Sequence, residues 1–154
     1  MKTQRQKLIT EQVDSRLQSF SMLKDVSRPA DGWVHAIRSA MRISLRQLGN
    51  RLSITPQSIK EIEDREKYGT ITLEALSKVG KALNMKLVYG FVPEEGSIDE
   101  MIERQARKVA TQVVMRTSMS MRLEGQENSA ARIEQAIQEL TDDLKKEMPR
   151  YLWD

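Results

Sequence analysis

The sequence is 154 residues long, 39% apolar and 31% charged, which fits a chain with a packed core and excludes disorder over its whole length. It has no cysteine and one histidine, His35, so disulfides, thiolate zinc sites, cysteine nucleophiles and paired-histidine metal sites are excluded. The net charge of +3 is uneven: residues 1–30 carry +3, residues 31–93 carry +4 and residues 94–154 carry −4. A basic front and an acidic rear predict two faces with different partners.

No apolar run approaches the length of a bilayer span, and the first dozen residues are polar. The expected location is the cytoplasm, with no membrane partner. Residues 1–28 are expected to form an N-terminal helical arm. Within it Leu8, Val13, Leu17, Phe20 and Leu23 recur near helical spacing over residues 1–27. Pro29 and Gly32 then break the chain. A helix this polar is marginal alone and needs a surface to pack on.

Residues 29–93 carry the densest signal. Asp31 is placed to cap a helix from Trp33 to about Arg42, with Trp33, Ile37 and Met41 on one face. Ser44 and Gln47 form a capping box that starts a short helix through Leu52. Ser53 and Ile54 turn the chain. Thr55 caps the next helix, with Pro56 in its first turn, where a missing N–H costs nothing. Ile59 and Ile62 face inward, and Gly69 and Thr70 end this element. Leu73, Leu76, Val79 and Leu83 make the stripe of a fourth helix. Lys86 to Pro93 is the one short strand expected in a mainly all-α chain. A lone strand has to pair with something. The expectation is therefore a homodimer in which residues 86–92, with Leu87, Val88, Tyr89 and Phe91, pair with their copy.

Two short helices, a tight turn and a threonine cap on the second helix make a helix-turn-helix. The run SLRQLGNRLSITPQSIKEIEDRE resembles the Cro/C1-type family of phage and bacterial repressors. Gly49 stands where that family needs a small residue because the two helices nearly touch. Leu48, Leu52, Ile54, Ile59 and Ile62 match its core positions, and Glu63 matches its acidic residue near the end of the recognition helix. Ser53 departs from the glycine common in the turn, at ~1 kcal/mol if its backbone is left-handed.

In such a unit the start of the second helix exposes Thr55, Gln57, Ser58, Lys60 and Glu61. Gln57 can bond an adenine edge twice, Lys60 a guanine and Glu61 a cytosine amine. The Thr55 and Ser58 hydroxyls and the first helical amides can hold phosphates. Arg46, Lys67 and Tyr68 are the candidates for flanking backbone contacts. The expected partner is double-stranded operator DNA, bound by a dimer on a palindromic site.

Residues 94–154 are expected to form a C-terminal helical region. Ser97 and Glu100 cap a helix over 97–124, with a stripe of Ile98, Ile102, Ala106, Val109 and Val113, followed by Met115, Met119 and Met121. Gly125 is placed to end it. A last helix runs from about Ser129 to Met148 on Ile133, Ile137, Leu140 and Leu144, and Pro149 stops it. Tyr151, Leu152 and Trp153 follow as an aromatic tail.

The run Ser120 to Gly125, SMRLEG, has a serine, then a glutamate four residues on, then a glycine. It resembles the inhibitory helix that restrains Fic-domain AMP-transferases. Ser120 and Glu124 share a helix face. The resemblance implies that Glu124 engages the active-site arginine that otherwise holds the γ-phosphate of ATP. A carboxylate suits an arginine fork through two charge-assisted bonds.

Most of the chain is similar to the mobile mystery protein A family. The similarity runs across GWVHAIRSAMRISLRQLGNRL, TITLEALSKVGKALNMKLVYGFVP and SMSMRLEGQ. That resemblance implies a Cro/C1-type domain and a Fic-domain toxin partner similar to mobile mystery protein B. The function it implies is an antitoxin. It would inhibit the Fic-domain AMP-transferase by inserting Glu124 into its ATP site, and repress its own operon. The alternative is a plain Cro/C1-type repressor whose C-terminal helices only dimerise. No glycine-rich phosphate loop, nucleophile elbow or paired catalytic carboxylate stands out. Hence no enzyme activity, catalytic residue, metal or cofactor is expected, and His35 is expected to be a partly buried structural residue.

Overall fold

A computed structural model of the chain describes residues 2–123 and 129–154. Among the described residues the secondary structure is helical, and no strand is formed. None of these helices is long and apolar enough to cross a membrane. The chain divides into two compact units, one of residues 25–90 and one of residues 1–24 with 91–154.

The second helix of the chain opens the 25–90 unit. Its elements are α2 (Trp33–Ala40), α3 (Leu45–Leu52), α4 (Pro56–Tyr68) and α5 (Leu73–Ala82). They enclose Val34, Leu48, Ile59, Val79 and Leu83, with Ile37, Ile43, Leu45, Leu52, Ile62 and Leu76 packed around these. Each such side chain contributes about 1.5–3 kcal/mol when fully buried. The helix starts are closed locally. Ser44 Oγ accepts the Gln47 amide at 3.1 Å while Gln47 Oε1 accepts the Ser44 amide at 2.8 Å. Thr55 Oγ1 accepts the Ser58 amide and Thr72 Oγ1 the Ala75 amide, both at 3.1 Å. Caps of this kind are worth about 1 kcal/mol each.

The start of α2 differs from the sequence expectation. Asp31 does not cap it. Gly32 holds the cap position at φ 88°, a conformation with no side-chain cap of its own. The Glu66 carboxylate, from α4, accepts the amides of Trp33 at 2.9 Å and Val34 at 2.8 Å. Asp31 instead forms an ion pair with Lys67 at 3.1 Å. A buried glutamate needs donors, and the open amides of a helix start supply them. Of Trp33, Ile37 and Met41, expected on one face, Ile37 packs on the core while Trp33 and Met41 are exposed.

The expected strand is likewise not formed. Residues 86–92, with Leu87, Val88, Tyr89 and Phe91, have no ladder bonds. Val88 is 64% exposed, Tyr89 69% and Phe91 82%. A strand is a property of a pair, and among the described residues no second strand is present for this one to pair with.

The other unit contains α1 (Lys2–Gln18), a short 3-10 turn (Ser21–Leu23), α6 (Ile98–Leu123), α7 (Ala130–Glu147) and a closing 3-10 turn (Arg150–Trp153). Its core is Ile102, Ala106, Ala110, Ile137, Leu144 and Leu152. The inner row of α6 is thus 102, 106 and 110, and Val113, expected in the stripe, is exposed. Leu152, expected in an aromatic tail, is fully buried, and its carbonyl accepts the Gln105 amide group at 2.7 Å. Ser97 and Glu100 form the expected reciprocal cap on α6. Asp14 of α1 adds a second carboxylate there, accepting the amides of Ile98 at 2.7 Å and Asp99 at 3.2 Å. The helix α1 is shorter than expected, and Leu8 and Val13 on it are exposed.

Candidate nucleic-acid interface

The turn between α3 and α4 sets where α4 begins. Ser53 adopts φ 57° and ψ 40°, the left-handed conformation that costs a residue with a Cβ about 1 kcal/mol. The Ile54 amide donates to the Gly49 carbonyl at 2.9 Å. A Cβ on Gly49 would lie 2.6 Å from the Ile54 carbonyl oxygen, so only glycine admits this approach. The close contact at Gly49 is therefore with the turn's backbone. Ile54 itself, expected in the core, is exposed at the edge of the turn.

One side of α4 is buried and charged. Ile59, Glu63 and Glu66 are buried, and Ile62 packs on the core. Glu63 accepts from Arg38 Nε at 2.5 Å and Nη2 at 3.2 Å, and His35 Nδ1 lies 3.2 Å from its second oxygen. Arg38 also donates to the Ile43 carbonyl at 3.0 Å, which ties α2, the following turn and α4 together. Burial pushes the Glu63 carboxyl up, but the hydrogen bonds and positive charge of Arg38 and His35 outweigh it and hold it below the ordinary glutamate value. Arg28 closes the far end of α4, donating to the Glu66 carbonyl at 2.8 Å and the Lys67 carbonyl at 3.0 Å. A cation on exposed helix carbonyls also complements the helix dipole.

The other side of α4 presents Gln57, Lys60, Glu61, Lys67 and Tyr68, all exposed, with Asp64 half-buried beside them. Gln57 and Glu61 are one turn apart, so they share a face. Neither makes a side-chain hydrogen bond or ion pair among the described residues, and the same holds for exposed Arg46 on α3. Lys60 pairs with Asp64 at 3.3 Å, an exposed i,i+4 pair of small worth. Thr55 Oγ1 and Ser58 Oγ are 2.9 Å apart, so the two hydroxyls already bond each other while Thr55 caps the helix. Lys67 pairs with Asp31 and sits 5.8 Å from the Tyr68 ring centroid. The hydrogen bond and charge of Asp31 raise the Lys67 ammonium, and those of Lys67 lower the Asp31 carboxyl, so both stay charged around neutrality.

The sequence reading therefore names the outer face of α4 and misses what holds its back. Arg28, Arg38 and Glu66 carry that role. A signal for two of its anchors was present: Glu63 and Glu66 stand four and seven residues after Ile59, at inward positions of a helical period. A charge at an inward position demands a partner.

Of the Fic-like run, Ser120 is exposed in the last turns of α6. Glu124 and Gly125 lie outside the described residues. Among the described residues no group of three or more histidine, aspartate or glutamate side chains could hold a metal ion.

Compared with known proteins, the chain matches no family model, no curated protein and no solved structure.

Proposed function

We propose that this chain is a Cro/C1-type DNA-binding protein that reads duplex DNA with the outer face of α4 and represses its own operon as a homodimer. The observation that carries this reading is the asymmetry of α4. Its back is clamped by Glu63–Arg38, by Glu66 on the start of α2 and by Arg28 on its last carbonyls. Its front leaves Gln57 and Glu61 without partners among the described residues, in a helix whose start Thr55 caps. Rigid backing with unspent donors and acceptors in front suits base readout in a major groove. Arg46, Lys67 and Tyr68 are the proposed flanking phosphate contacts, with Thr55, Ser58 and Lys60 at the helix start.

The test is selection of duplexes from a random pool, followed by affinity measurements across salt concentrations. A two-fold symmetric consensus with a steep salt dependence is expected. Equal affinity for every duplex, or none at low salt, would overturn the reading.

A second role is proposed for the C-terminal helices: restraint of a Fic-domain AMP-transferase similar to mobile mystery protein B. The support is the run Ser120 to Gly125, beginning at an exposed serine on a helix whose other face packs in a core. In this reading Glu124 enters the enzyme's ATP site and occupies its phosphate-binding arginine. The competing reading is a plain repressor, and the two separate on Glu124.

A further inference from the structure

Residues 86–94, Lys-Leu-Val-Tyr-Gly-Phe-Val-Pro-Glu, have a near-palindromic order about Gly90. Tyr89 and Phe91 flank the glycine, then Val88 and Val92, then Leu87 and Pro93, then Lys86 and Glu94. Residues 86–93 make no backbone–backbone hydrogen bond among the described residues, and Val88, Tyr89 and Phe91 stand in solvent. The Lys86 and Glu94 side chains make no ion pair among the described residues.

We propose that this segment pairs antiparallel with its copy in a second subunit, in the register that centres on Gly90 and sets Tyr89 opposite the partner subunit's Phe91. This rests on the dimeric reading above and adds its register and its contacts.

Three features select that register. First, it places Tyr89 opposite phenylalanine and Phe91 opposite tyrosine, giving two aromatic cross-strand pairs on one face. Second, it places Lys86 opposite the partner subunit's Glu94 at both ends of the ladder, so opposite charges meet. Third, Pro93 has no N–H, so the pair that contains it falls at a site without reciprocal hydrogen bonds. Sites alternate along an antiparallel ladder, so the Tyr89–Phe91 pairs then fall at the same kind of site, where side chains approach most closely. Gly90 meets Gly90 on the other face. Moving the centre by one residue, to Tyr89, would shift the pairing by two: Gly90 would face the partner's Val88 and Tyr89 its own copy, and both charge pairs would separate.

The chain has no cysteine, so disulfide cross-linking tests this directly. Tyr89→Cys and Phe91→Cys chains are mixed under mild oxidation, and each is also oxidised alone. Both positions are exposed, so neither substitution removes core packing. Opposed Cα atoms at such a site lie about 4.5 Å apart, and diagonal neighbours about 7–8 Å, outside the disulfide range. The mixed disulfide is therefore expected to exceed either self-disulfide by roughly tenfold. Separately, Lys86→Glu is expected to weaken the dimer by about two- to fivefold per pair, and adding Glu94→Lys to restore it.

A Tyr89→Cys self-disulfide equal to the mixed one would overturn the register. So would a chain that sediments as a dimer but forms no mixed disulfide. A monomer in sedimentation would overturn the dimer itself. Duplex binding by the same samples reports on the DNA-reading role separately.

Discussion

The Glu66 carboxylate fills the space that a side chain on Gly32 would need: a Cβ there would lie 2.8 Å from Glu66 Oε1. Gly32 also sits at φ 88° and ψ 166°, a region open essentially to glycine alone. Gly32→Ala therefore combines backbone strain with displacement of the carboxylate that caps α2. A loss of about 1–3 kcal/mol in urea unfolding is expected. A change too small to resolve would show that the cap and the turn are dispensable.

Glu66 itself separates capping from bulk. Glu66→Ala leaves the Trp33 and Val34 amides without an acceptor beside a packed core, at about 1–3 kcal/mol. Glu66→Gln keeps one acceptor oxygen and should recover part of the loss. Equal stability of the two variants in the same unfolding assay would refute the capping role.

The Glu63 cluster makes stability depend on acidity. Its carboxyl lies lower in the folded chain than in the unfolded one. The ionised form is thus favoured by folding. The contribution is complete above the unfolded value and is lost as pH falls through the lower folded one. Urea midpoints from pH 7 down to pH 3 should fall for the native chain and change less for Glu63→Gln. The variant should also be the less stable of the two at neutral pH, because Arg38 loses its charged partner in a half-buried site.

On the face of α4 proposed to read DNA, two substitutions should behave differently. Gln57→Ala is expected to relax preference at one base pair by roughly 1–3 kcal/mol and leave the salt slope unchanged. Arg46→Ala should weaken all duplexes alike and reduce the salt slope by about 0.9. Titrations on the selected site and its single-position variants, at several salt concentrations, distinguish them. Uniform weakening by Gln57→Ala would make that side chain a backbone contact.

For the role proposed for the C-terminal helices, the assay is AMP transfer from labelled ATP by a Fic-domain AMP-transferase similar to mobile mystery protein B. The native chain should suppress labelling, and Glu124→Gly should restore it without altering duplex binding. Equal labelling with no chain, native chain and variant would leave the plain repressor.

Helix starts were legible from sequence because capping is local. Ser44 with Gln47, Thr55 with Ser58, and Ser97 with Glu100 each close within three residues, and each forms as its spacing implies. The small residue at 49 was expected only from the Cro/C1-type resemblance, and the structure sets it against the Ile54 carbonyl of a turn in which Ser53 is left-handed. Helical periodicity likewise identified Ile59, Ile102 and Ile137 as core, while Leu48 was expected there from the Cro/C1-type resemblance. Tertiary structure alone decided the contacts between distant positions. Glu66 displaces Asp31 as the cap of α2 from 33 residues away, and Asp14 reaches the start of α6 across 84. Leu152 becomes core only because α6 and the chain end meet, and residues 86–92 stay unpaired because a ladder needs a second backbone. Local rules fix what a residue can satisfy within one turn of helix. Which of two carboxylates reaches a helix start, and which apolar side chain is covered, depends on how the helices pack, and no local spacing encodes that.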